Sequence, residues 1–326
     1  MKRLLCGVSV LFVMLGWSSA NAFGQGFPTK VVRIIVAYPP GGALDLVARA
    51  MASKLAESFG QPVLVENRPG AGGNLGAGLV AKSAPDGHTL LLTPLSLAIS
   101  PIFYRELPFD PAKDFAAVTQ IVESRQILVS SPHVPASSVK EFVALAKAKP
   151  GALNYGTTGG SAPYLSMEIL KSAAGIDVLA IPYKGEQHIV QALLSKDVDV
   201  AVLPISSSLL RYLKEGRLRA LGLTSAKRSP SFSHIPAISE FVPGFEVGSW
   251  QGLFVSANTP RAIVDQLSYA TVKACESPEV RKHVLAGAGG GREMVCSTAD
   301  EFQAVFRADL AKFQRIAKEV NIPFMD

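Results

Sequence analysis

Four turns of this chain combine glycine with hydroxyl side chains: Pro39-Pro40-Gly41-Gly42-Ala43-Leu44-Asp45, Thr93-Pro94-Leu95-Ser96, Thr157-Thr158-Gly159-Gly160-Ser161-Ala162 and Tyr183-Lys184-Gly185. Glycine lets a ligand approach the backbone, and hydroxyls add adaptable hydrogen bonds. Each turn follows a strand-like run and opens a helical pattern. In open α/β sheets this is where ligands bind, because helix amino termini present free N–H groups there. Only Lys184 among these residues is positively charged, so the pattern points to a small anion held by neutral dipoles rather than by an ion pair. Any one of the turns also reads as plain strand-to-helix punctuation; the four together mark a site. Asp45 lies in the first turn of its helix, where a carboxylate favours the helix dipole. A functional Asp45 would order water or backbone, since a bare carboxylate repels an anion.

Other chemistries fit less well. Gly70-Ala71-Gly72-Gly73-Asn74-Leu75-Gly76 invites a dinucleotide reading, but Leu75 breaks the G-x-G-x-x-G spacing and no acidic residue follows the next strand. A tight turn is the simpler reading, and no cofactor is expected. Gly159-Gly160-Ser161-Ala162-Pro163 lacks the closing glycine of a nucleophile elbow. His88, His133, His188, His234 and His283 are scattered singly, without metal-ligand spacing.

The elements that must position the turns alternate strand and helix. Val31 to Val36 is a β-branched run, and Leu44, Val47, Ala48, Met51 and Leu55 repeat at helical spacing up to Gly60. Strands are expected at 62–66 and 89–93. A second series begins near 126, with strands at 127–129, 153–156, 178–183, 198–203 and 218–223 and helices near 161–174, 186–195 and 207–215. Ser138 with Glu141, and Thr298 with Glu301, have capping-box spacing. Residues 249–255 form a further strand, and the chain ends in helices. This alternation predicts two α/β lobes, each a mostly parallel sheet flanked by helices. The chain crosses between them near 124 and 248, giving a first lobe of 23–124 and 249–326 and a second of 125–248.

Lys2 and Arg3, the apolar run Leu4 to Trp17 and then Ala20-Asn21-Ala22 form a leader with a cleavage site after Ala22. The run spans about 21 Å at ~1.5 Å per residue, short of a ~30 Å hydrocarbon core. The expected location is therefore the periplasm, with no membrane insertion of the mature chain. Loss of Lys2 and Arg3 leaves a mildly basic protein, the whole chain carrying a formal +6. No basic run with interleaved aromatics is present, so nucleic acid is not an expected partner. Cys275 and Cys296 remain in an oxidising compartment. They form either a bridge closing a loop of about 20 residues, contributing ~3 kcal/mol, or two thiols that never meet.

These motifs, in this order, resemble the substrate-binding receptors of tripartite tricarboxylate transporters, also called Bug-type extracytoplasmic solute receptors. The resemblance runs from Tyr38-Pro39-Pro40-Gly41-Gly42 with Asp45, through Gly60-Gln61-Pro62-Val63-Leu64-Val65-Glu66-Asn67-Arg68-Pro69-Gly70-Ala71-Gly72-Gly73-Asn74. It continues with Ala84-Pro85-Asp86-Gly87, Leu153-Asn154-Tyr155-Gly156, Ile181-Pro182-Tyr183-Lys184-Gly185 and Ser249-Trp250. It implies a two-lobed clamp that closes on a small carboxylate and delivers it to integral membrane transporter subunits, without enzymatic turnover.

The ligand-binding set so expected comprises Tyr38, Gly41, Gly42, Asp45, Thr93, Ser96, Thr157, Thr158, Gly160, Ser161, Ala162, Tyr164, Gly185 and Pro204. Three stretches depart from the family pattern: Pro163-Tyr164-Leu165, Glu186-Gln187-His188 and Ala201-Val202-Leu203-Pro204. Tyr164 either stacks on an aromatic carboxylate or packs inside the protein. A monomer is expected. A receptor signalling to a sensor kinase and a secreted α/β hydrolase are the rival readings.

Overall fold

The computed structural model describes residues 26–320, 322 and 324; the leader at 1–22 lies outside the described residues. The first part of the chain forms β1 (Val32–Val36), α1 (Ala43–Phe59), β2 (Val63–Asn67), α2 (Asn74–Ala81), β3 (Thr89–Pro94), α3 (Ser96–Phe103) and β4 (Phe115–Ser124). The middle forms β5 (Gln126–Ser130), α4 (Val139–Ala148), β6 (Asn154–Thr157), α5 (Ala162–Ala174), β7 (Leu179–Pro182), α6 (Glu186–Ser195), β8 (Val200–Pro204), α7 (Ser207–Lys214) and β9 (Arg219–Leu223). The last part forms β10 (Ser249–Ser256), α8 (Arg261–Glu276), α9 (Pro278–Leu285), β11 (Arg292–Met294) and α10 (Ala299–Glu319).

Local chemistry accounts for many of these boundaries. Gly60 ends α1 in the left-handed region, at φ 62°, a conformation that costs glycine nothing. Ser138 caps α4 by accepting the Glu141 N–H, while the Glu141 carboxylate reaches one residue further back, to Ser137. At α10 both halves of the Thr298–Glu301 box are present. The expected tight turn at 70–76 is a short 3-10 turn (Ala71–Gly73) that runs directly into α2.

Two lobes result, with sheet orders β11-β4-β10-β3-β1-β2 and β7-β6-β8-β5-β9. Both sheets are mixed, with the parallel neighbours β3-β1-β2 and β7-β6-β8 that the alternation predicts and antiparallel strands added to them. β10 runs antiparallel to β3 and β4, β11 antiparallel to β4, and β5 antiparallel to β8 and β9. Parallel neighbours need a crossover connection. β5 and β10 have none, because by them the chain passes from one sheet to the other and back.

One face of the first sheet (Val32, Ile34, Val36, Leu90, Leu92) packs on α1, α8 and α9. On the other face Ile35, Leu91 and Phe254 meet Ala77, Val80, Phe302 and Phe306. That apolar layer continues into the second lobe. Phe103 at the end of α3 meets Tyr164 of α5 with ring centroids 5.4 Å apart, and Tyr164 stacks in turn on Tyr155 of β6. A separate cluster around Ile127, Val129, Ala201 and Leu203 packs against α6 and α7.

Cys275 of α8 is bonded to Cys296, just beyond β11. The bridge closes a loop holding α9 and the glycine-rich segment 287–291. That segment lies against the second lobe: Ser207 N–H donates to the Gly287 carbonyl at 2.9 Å, and Arg125 N–H to the Gly291 carbonyl at 2.8 Å. A side chain at 291 would clash with the Ile205 carbonyl oxygen, so only glycine allows this approach.

Candidate functional site

Between the lobes lies a cavity of about 260 Å³, into which four helix amino termini open. α1 contributes Ala43, the end of β3 and the start of α3 contribute Pro94, Leu95 and Ser96, the N-cap and first turn of α5 contribute Ser161, Ala162 and Pro163, and α6 contributes Glu186 and Ile189. These are the helices that follow the four glycine- and hydroxyl-rich turns, so the positive ends of their dipoles favour a negative ligand. Tyr38, Thr158, Val202, Leu203 and Pro204 complete the lobe walls. The Tyr38 hydroxyl hydrogen-bonds to Ser96 Oγ at 3.1 Å and to the Gly72 carbonyl at 3.0 Å. Burial raises the Tyr38 pKa against the opposing effect of Ser96, so the phenol stays neutral. Thr158 Oγ1 donates to Ser161 Oγ, which also caps α5 by accepting the Tyr164 N–H.

The floor comes from the crossing strands. Ser249 of β10 and Arg292 of β11 are both register partners of Ser124 of β4, one on each side. Paired residues on neighbouring strands project from the same face, so this row points Ser249, Ser124 and Arg292 into the cavity, with Gln126 and Gln251 beside them. Two buried atoms in this floor, Ser124 Oγ and Gln251 Oε1, have no hydrogen-bond partner. Buried polar atoms are almost always satisfied, so both stand out as unmet polar atoms in this floor. Arg292 is half-buried and anchored by donation from Nη1 to the Val284 carbonyl at 3.1 Å. Burial lowers its pKa and Glu186 opposes that shift; burial raises the pKa of Glu186 and Arg292 opposes that one.

The expected set divides. Tyr38, Ser96, Thr158, Ser161, Ala162 and Pro204 line the cavity. Gly41, Gly42, Asp45, Thr93, Thr157, Gly160, Tyr164 and Gly185 do not. Thr93 and Thr157 are buried at strand ends, and Gly160 is buried behind Ser161. Gly185 is extended backbone, at φ 178°. Gly42 has φ −79°, a value open to any residue, and the Gly41 N–H is taken by the Asp45 carboxylate at 2.9 Å. Asp45 itself is buried, bonded to Arg49 and Asn67 as well. Burial pushes its pKa up, but these three partners outweigh it and hold the carboxyl below its ordinary value. Asp45 therefore organises the loop backbone and does not face the cavity. Tyr164 packs in the interlobe core, 7% exposed.

The larger correction concerns charge. A site of neutral dipoles was expected, with Lys184 the sole cation nearby. Lys184 is exposed and off the cavity, whereas Arg292 lies in its floor. Arg292, Glu186, Ser124, Ser249, Gln126 and Gln251 were all missed. The run Gly287-Ala288-Gly289-Gly290-Gly291 before Arg292 was the available signal, since glycines mark a close backbone approach.

No histidine lines the cavity to activate Ser161. A Ser131–His133–Asp199 chain does exist, with 2.8 Å contacts on both sides of the ring. It sits at the opposite end of β8, however, and Ser131 is fully buried. Among the described residues no helix is long and apolar enough to cross a membrane.

The chain is similar to known proteins over most of its length. The tripartite tricarboxylate transporter family receptor model matches residues 47–322. Protein BugT of Bordetella pertussis is 31% identical, over 98% of this chain and 98% of its own. A structure from R. palustris solved with adipate superposes with a TM-score of 0.78 at 31% identity, covering 92% of this chain and all of that one. MatC of Rhodopseudomonas palustris with bound malate gives 0.76 at 30% identity, covering 89% and 100%. With its two-lobed clamp, interlobe cavity and this degree of likeness, the chain belongs to the tripartite tricarboxylate transporter receptor family, whose members bind solutes rather than transform them.

Proposed function

We propose that this protein is a periplasmic receptor that closes its lobes on a small carboxylate and presents it to the membrane components of a tripartite tricarboxylate-type transporter. The observation that carries this reading is the half-buried guanidinium of Arg292 in the floor of a cavity ringed by four helix amino termini. Fixed N–H dipoles and a guanidinium fork both suit a carboxylate. The relatives solved with adipate and malate support the ligand class. The hinge falls at 124–126 and 247–249, where the chain changes sheets, with 23–124 and 249–326 forming one lobe and 125–248 the other. The leader is removed after Ala22, and the mature receptor acts as a monomer.

Calorimetric titration of the purified protein with a series of mono- and dicarboxylates tests the reading. One site per chain and unchanged ligand on recovery are expected. No binding across the series, or undiminished binding by Arg292→Gln, defeats it.

A further inference from the structure

We infer that the preferred ligand is a small zwitterion, a carboxylate that also carries an ammonium or similar N–H donor, and that Glu186 selects it. This rests on the carboxylate-receptor reading above and narrows it.

Glu186 stands in the first turn of α6, half-buried in the cavity wall. Among the described residues nothing donates a hydrogen bond to its carboxylate. Glu186 and Arg292 both line the cavity, and among the described residues no ion pair joins them. A second observation points the same way. Gln251, a cavity-lining residue, is 8% exposed, and its buried Oε1 has no donor. The site therefore holds a donor set, made of Arg292 and the helix N–H groups, and an acceptor set, Glu186 and Gln251, that is unsatisfied.

Charge balance selects among ligands. Arg292 and Glu186 cancel, so a zwitterion leaves the closed cavity neutral, whereas a dicarboxylate brings two negative charges and sets one beside Glu186. Uncompensated buried charge is costly, and so are like charges in contact. At about 260 Å³ the cavity falls below the ~300–1,000 Å³ of drug-sized sites, so both sets must be met by one compact molecule. Burial, which raises the Glu186 pKa, favours the competing arrangement of a protonated Glu186 donating to a second carboxylate; Arg292 opposes it, and the pH arm of the test below separates the two.

Titration calorimetry near neutral pH with skeleton-matched pairs tests this: alanine with methylmalonate, β-alanine with succinate, γ-aminobutyrate with glutarate, and δ-aminovalerate with adipate. In at least one pair the amine is expected to bind at least tenfold tighter, about 1.4 kcal/mol. Glu186→Gln is expected to abolish that preference while leaving the circular dichroism spectrum unchanged. The inference fails if the dicarboxylate binds as tightly or more tightly in every pair, if Glu186→Gln keeps the ratio, or if dicarboxylate binding tightens as acid protonates Glu186. Carboxylates binding without amine preference sink this inference alone; no binding in any pair sinks the receptor reading with it.

Discussion

Asn67 ties Asp45 to Tyr38: its side-chain amide donates to the Asp45 carboxylate at 3.0 Å and to the Tyr38 carbonyl at 3.1 Å. With the Gly41 N–H on its other oxygen, Asp45 is the post around which the 38–41 loop is wound. Asp45→Ala leaves those donors without their charged partner, which is expected to cost about 1.5–3 kcal/mol per lost bond to a charged group. Affinity should fall as well, because the loop carries Tyr38 into the cavity. Urea denaturation and calorimetry read the two effects separately. Since the folded-state pKa of Asp45 is depressed, its contribution is complete above the ordinary carboxylate range and is lost as pH falls through the lower folded value. The variant should therefore lose less stability on acidification.

Arg292→Gln and Lys184→Met provide a direct contrast. A charge-assisted hydrogen bond contributes about 1.5–3 kcal/mol, so loss of Arg292 should weaken carboxylate binding more than tenfold. Lys184→Met, at an exposed site off the cavity, should leave affinity unchanged. Equal losses in the two variants would contradict the placement of the guanidinium.

Much of this architecture was legible in the sequence, because helix periodicity and capping residues act over a few neighbours. Leu44, Val47, Ala48, Met51 and Leu55 are all buried on one face of α1, as their spacing requires. β4 was not legible: Phe115–Ser124 is buried on both faces for most of its length, so no alternation advertises a strand. Arg292 was missed for a different reason. It enters the cavity through a three-residue strand whose register with Ser124 is set by partners distant in sequence. The four turns lead into the four helices that reach the cavity, but which atoms of each turn face it is decided by contacts such as Gly41 with Asp45, invisible until the chain is folded.

The Cys275–Cys296 bridge closes a loop whose ends are 21 residues apart and which delivers Arg292. Reduction, or a Cys275→Ser/Cys296→Ser double variant, is expected to lower stability by about 3 kcal/mol. It should also weaken ligand binding, since β11 loses its brace. Thiol titration of the unreduced, unfolded protein should find no free cysteine in the mature chain.

Asp309 on α10 accepts the Trp250 indole N–H at 2.7 Å. Burial raises its pKa; Trp250 and Lys312 partly offset this, and Glu246 adds to it. A carboxylate whose folded pKa is raised favours the native state most at low pH, and that advantage disappears as pH rises through the folded value. Asp309→Asn keeps an oxygen acceptor for the indole and removes the charge. It should raise the melting temperature at neutral pH, with the gain vanishing in acid where the wild-type carboxyl is protonated. A lower melting temperature at neutral pH would show that the ionised carboxylate is needed there.

β10 sits between β3 and β4, pairing with both. During synthesis those two strands emerge long before their shared neighbour, and no described pairing joins them directly. The first sheet cannot be completed until Ser249–Ser256 has been made, so most of the polypeptide exists before that lobe has a finished core. Contacts of such long sequence separation slow folding. For the export proposed above this delay is an advantage, since the chain stays unfolded, and so transportable, until most of it has left the ribosome.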